Sequence, residues 1–171
     1  IQPYSSRKLY VLNGAHATIG FMSQANKITY VHEAMRDPDI YGTVTGQMKE
    51  AVFGLVQEFK LNAAEQQKYI DTILSRFSNP QFQDETNRLI RRQTSKLARN
   101  ERLIGPALLC LKFKGNPVNH ARAIAYLLDY HDPVTPESQQ LHDYTVVNGV
   151  AKALNEYCGL NKQDPCDARL I

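Results

Sequence analysis

Lys8, Asn13 and His16 stand close together in the stretch "RKLYVLNGAHA", otherwise largely apolar. At i, i+5 and i+8 of an α-helix, about 100° per residue, they span an arc of about 140° on one side. Each has an ordinary reading alone, a solvated helical lysine or a structural histidine. Asn13 is more informative, because a mid-helix Asn is a mediocre helix former whose hydrogen-bonding capacity asks for compensation. Together the side chains suit one reaction. A Lys desolvated in an apolar pocket has its pKa lowered towards neutrality and takes a proton from an alcohol, while Asn and His hydrogen-bond the developing alkoxide.

A second group lies in "RLIRRQTSKLARNER": Arg88, Arg91, Arg92, Lys96, Arg99 and Arg102. On a continuous helix they fall within an arc of about 140°, opposite Ile90, Leu97 and Ile104. Such a run reads as a solvated basic face, or as a phosphate-binding surface, because guanidinium forks match phosphate oxygens bidentately. Nucleic acid is disfavoured by the absence of interleaved aromatics or a binding motif, and by a net charge of only +3. His16, His32, His120, His131 and His142 show no paired ligand spacing, so no metal is implied.

These groups need a scaffold, and 171 residues with 43% hydrophobic and 22% charged content suit a single domain. Helical spacing dominates and period-two alternation is nearly absent, which predicts an all-α fold. The expected helices run over residues 5–26, with Gly14 and Gly20 marking close approaches, then 31–36, 38–59 and, capped by Asn62 with Glu65 at N3, 63–76. A helix over 84–114 with a break near 93–95, one over 118–130 and one over 136–157 complete the set, and the tail "NKQDPCDARLI" shows no apolar periodicity. Cys110, Cys158 and Cys166 have no paired spacing and read as free thiols in a reducing cytoplasm. No apolar run approaches the ~20 residues needed to cross a bilayer, so no membrane partner is expected.

The pattern Lys8-x4-Asn13-x2-His16, the segment "YIDTILSRFSNP" and the segment "KLARNERLIGPAL" occur in that order. Over residues 7–106 the chain thereby resembles the C-terminal, substrate-binding domain of the polyol-specific long-chain dehydrogenases, most of all their mannitol-phosphate members. The resemblance implies a single multi-helical domain over residues 1–171. It makes Lys8 the general base in polyol oxidation and the acid in ketose reduction, with Asn13 and His16 holding the reacting oxygen. It implies that Arg88 and Lys96 contact the substrate chain, and that Arg91 sits where members with phosphorylated substrates carry Arg. Arg92, Arg99 and Arg102 inherit no role and are expected to be solvated or structural.

By the same resemblance the cofactor is NAD, held mainly by an N-terminal dinucleotide-binding domain that would be this chain's partner. The chain has no G-x-G-x-x-G after a strand and no βαβ pattern. Its start at Ile1 rather than Met fits one domain of a longer enzyme, inactive alone. Ser5 and Ser6 stand where the family often has an acidic residue, Gly14-Ala15 is closer to the hexuronate oxidoreductases, and "RRQTSK" lacks a frequent Pro. An unphosphorylated polyol or a hexuronate therefore stays open as substrate, and a helical binding module without catalysis is the alternative of another class.

Overall fold

The computed structural model describes residues 2–171. Among them the elements are helical, and the one strand-like pairing is an isolated antiparallel bridge between Tyr30 and Glu85. The all-α expectation therefore holds.

The first helical stretch is continuous but not uniform. It starts as α1 (Gln2–Arg7), widens to a π-helical turn (Lys8–Asn13) and continues as α2 (Gly14–Ala25). The Gly14 N–H reaches back five residues to the Leu9 carbonyl, the bonding that defines a π turn. Helix α2 is buried all round, as expected of a helix apolar on every face. Ala15, Ile19 and Met22 pack into one hydrophobic cluster with Met48, Leu55 and Ile70. Ala17 and Phe21 pack into another with Leu103, Ile104, Leu127 and Leu154. Both glycines mark close approaches, as expected. A Cβ on Gly14 would lie 2.8 Å from the Arg102 carbonyl oxygen, and one on Gly20 would lie 2.8 Å from Leu89 Cβ.

Short α3 (Val31–Ala34) leads to α4 (Pro38–Phe59) and α5 (Ala63–Phe77). Asp37 caps α4 by accepting from Asp39 N at 2.8 Å and Ile40 N at 3.0 Å. Asn62 caps α5 by accepting from Glu65 N at 3.0 Å, at the position its spacing predicts.

The segment 84–114 departs from expectation. It is a 3₁₀ turn (Thr86–Leu89), then α6 (Gln93–Leu97), then α7 (Ile104–Lys112). Tertiary contacts break it. Val31 N donates to the Asp84 carbonyl and Thr86 N to the Thr29 carbonyl, each at 2.9 Å, which holds the start extended. Arg92 adopts a left-handed φ of 56°, and residues 98–103 wrap past Gly14. The basic residues of this segment therefore share no helical face.

In α8 (Val118–Asp129) the first N–H groups are capped from another helix. The Glu50 carboxylate accepts from Asn119 N at 2.9 Å and His120 N at 3.1 Å, and from His120 Nδ1 at 2.7 Å. Burial pushes the Glu50 carboxyl up, but these bonds outweigh it and hold the group below its ordinary range. The single helix expected over 136–157 is divided into α9 (Pro136–Asn148) and α10 (Val150–Cys158) by Gly149, whose φ of 83° other residues rarely adopt. The tail is not a loose linker. It forms α11 (Asp167–Leu170), and Asp167, 1% exposed, takes a guanidinium fork from Arg99 at 2.7 and 2.8 Å. The cysteines are free, as expected, and no helix among the described residues is long and apolar enough to cross a membrane.

Candidate functional site

From Gly14 to Ser23 His16 is the one residue that is not buried, so it marks where α2 comes to the surface. Its ring lies against Phe77, with centroids 4.6 Å apart and planes inclined by 39°. It faces a cavity of about 280 Å³ lined also by Val31, Arg76, Phe82, Gln83 and Asp84. Burial lowers the His16 pKa to about 4; Asp84 opposes this, and the charges of Arg88, Arg76 and Arg102 reinforce it. The imidazole is therefore neutral at physiological pH, with one nitrogen donating and one accepting.

The π turn changes the angular relation of the predicted trio. In an α-helix Lys8 and Asn13 would stand about 140° apart. Where the i to i+5 bond replaces the i to i+4 bond, residues five apart stand roughly as residues four apart do in an α-helix, about 40° from one another. Lys8 and Asn13 thus come onto one face, and His16 follows less than one α-helical turn later. Asn13 is half-buried, but Lys8 is exposed. The described residues leave Lys8 in water, so the apolar pocket that would desolvate it is not formed by them.

The buried lysine is Lys96, 8% exposed. Burial lowers its pKa to about 8, reinforced by Arg102 and Arg92 and opposed by Glu137 and Glu101. Arg88 forks onto Asp84, with Nε to Oδ1 at 2.9 Å and Nη2 to Oδ2 at 2.6 Å, which ties it to the His16 cavity. Arg91 lines a different cavity of about 390 Å³ with Arg92, Gln93, Asp132, Glu137 and Ser138. The structure thus places Lys8, Asn13 and His16 on one helical run and Arg88 beside His16. It links Lys96 to the same region through the charge of Arg102, and it sets Arg91 apart.

Sequence reasoning missed Asp84 and Arg76 as neighbours of His16, and it named Arg102 in the basic run without giving it a role. Asp84 had a readable signal, since it precedes Arg88 by four residues; the place of Arg102 against Gly14 had none, because it depends on a loop. A larger cavity of about 440 Å³ is mostly apolar, lined by Ile124, Leu128, Val146, Val150 and Leu154 among others, with Tyr126, Asp129, His142 and Thr145 as its polar lining.

Comparisons with known proteins give the family of the chain. The family described as mannitol dehydrogenase C-terminal domain matches residues 1–163. Mannitol-1-phosphate 5-dehydrogenase of Anoxybacillus flavithermus is 36% identical over 166 residues, 96% of this chain and 44% of the relative. That of Alternaria alternata is 38% identical over 174 residues, all of this chain and 44% of the relative. The chain thus spans less than half the length of these relatives. Mannitol 2-dehydrogenase of Pseudomonas fluorescens, solved as a ternary complex with NAD and D-mannitol, superposes with a TM-score of 0.66 at 17% identity, over 91% of this chain and 32% of that one. At that identity the superposition speaks for the fold alone. With the family matched over nearly its whole length, the chain belongs to the mannitol dehydrogenase C-terminal domain family.

Proposed function

We propose that the protein containing this chain interconverts mannitol 1-phosphate and fructose 6-phosphate with NAD in the cytoplasm, and that this chain supplies the substrate site and the proton transfer. The reading is supported most by His16, the one residue not buried from Gly14 to Ser23, which follows closely on a π turn carrying Lys8 and Asn13. In polyol oxidation the neutral Lys8 amine accepts the hydroxyl proton while Asn13 and the neutral His16 hydrogen-bond the developing alkoxide. In the reverse direction the Lys8 ammonium returns the proton to the ketose oxygen. Bound NAD supplies the hydride acceptor. The βαβ cradle such a dinucleotide requires is not among the described residues, and the greater length of the relatives leaves room for it.

Arg88 and Lys96 are the proposed contacts to the substrate chain, and Arg91, which lines a separate cavity, is left out of them. The exposure of Lys8 means that its desolvation comes from the part of the protein outside this chain, so the chain alone is inactive. In the complete protein Lys8→Ala lowers kcat by about 10³-fold with little change in KM, within the roughly 10²–10⁴ range of a positioned acid or base. Near-normal turnover would remove Lys8 from the mechanism. Equal activity on fructose and fructose 6-phosphate would end the phosphate assignment.

A further inference from the structure

The arginines near the site differ in how many of their N–H groups are already engaged. Arg88 is forked onto Asp84, and Arg99 onto Asp167. Arg102 bonds only its sequence neighbour, with Nε and Nη2 each 3.1 Å from Glu101 Oε2. Of the five N–H donors on a guanidinium, those on Nη1 are left without a partner among the described residues. Its backbone is pinned, because its carbonyl oxygen is the atom against which Gly14 packs. Arg102 thus lies directly beside the residue that follows Asn13, and its charge reaches both His16 and Lys96.

Lys96 presents the complementary problem. It is 8% exposed and its ammonium has no hydrogen bond or ion pair among the described residues, and a buried cation calls for a counter-charge. The neighbouring acids are already engaged. Glu101 takes Arg102, and Glu137 accepts from both the backbone N and the hydroxyl of Thr94. Arg102, whose backbone is pinned against α2, thus keeps one guanidinium edge free beyond its pair with Glu101, and the Lys96 ammonium has no bonded anion.

We propose that Arg102 and Lys96 together hold the anionic end of the substrate, the guanidinium by bidentate hydrogen bonds and the ammonium as a point charge. Arg102 then determines the preference for a phosphorylated over a neutral polyol. Arg91, in its separate cavity, adds little to that preference. The assignment rests on the sugar-phosphate reading above, and it gives a role to a residue that the family resemblance left without one.

The test begins with this chain, titrated with inorganic phosphate and followed by backbone amide NMR shifts. Saturable binding is expected, weakened at least tenfold by Arg102→Ala, partly kept by Arg102→Lys and changed less than twofold by Arg91→Ala. Alanine at 102 leaves the carbonyl contact to Gly14 in place, and circular dichroism with thermal unfolding verifies the fold of each variant. Absence of saturable binding, wild-type binding by Arg102→Ala, or an equal loss in Arg91→Ala overturns the proposal. In the complete protein, Arg102→Ala raises KM for fructose 6-phosphate at least tenfold and leaves KM for fructose unchanged; equal effects on both sugars count against it. The Lys8→Ala turnover test scores the dehydrogenase reading by itself, so a failure there is distinct from a failure of the phosphate titration.

Discussion

His16 ties the charge of the site to the stability of the fold. Its folded pKa of about 4 lies below the ordinary 6.5. Between these values the unfolded chain binds a proton that the folded chain refuses, so stability rises with pH across this window and is lost as pH falls through it. At about 1.36 kcal/mol per pH unit, lowering the pH from about 7.5 to about 4.5 removes about 2.5 kcal/mol through this residue. Urea denaturation of the wild type and His16→Gln at both pH values isolates the effect, because His120 and the carboxylates titrate in both proteins. The wild type is expected to lose about 2.5 kcal/mol more than the variant. The neighbours set the signs of two further shifts. Removing positive charge by Arg102→Ala raises the His16 pKa, and removing negative charge by Asp84→Asn lowers it. Equal acid losses in wild type and His16→Gln, or an imidazole NMR titration with its midpoint at 6.5 or above, would refute the reasoning that burial outweighs Asp84.

Gly20→Ala places a Cβ 2.8 Å from Leu89 Cβ, and the overpacking should cost about 1–3 kcal/mol in urea denaturation despite the better helix propensity of Ala. Glu50→Ala uncaps α8 and strands the 0%-exposed His120, a loss of about 3 kcal/mol measurable in the same way. Asp167→Asn loosens the Arg99 fork, and hydrogen exchange should quicken over residues 159–171 while α2 stays protected. Calorimetry of this chain with NAD should show no micromolar binding, and a micromolar affinity would place the nucleotide site here.

The sequence made most helix limits legible where they are decided locally. Asn62 with Glu65 marked a cap, Pro38 marked the start of α4, and the two glycines of α2 marked contacts. The π turn was not legible, because the choice between a four- and a five-residue hydrogen-bond step is made by the packing on either side of it. The break-up of 84–114 was hidden for a similar reason. Its residues have good helical spacing, but their backbone bonds go to residues 29–31 and not along the chain. The resemblance gave Lys8, Asn13 and His16 roles, and the structure adds why they share a face. Burial fell on Lys96 instead of Lys8, a distinction that depends on which surfaces the rest of the chain covers.

Helix α2 belongs to two hydrophobic clusters at once, and this bears on how the site fails under heat. A helix gripped on one side can be released when that side loosens, with the remainder of the domain intact. Here neither cluster can melt without exposing one flank of the helix that carries His16, so the two halves should come apart in a single transition. Residues far from any chemistry, such as Leu154 in α10, then help set the temperature at which the site is lost. An activity screen at ambient temperature would pass over them as silent.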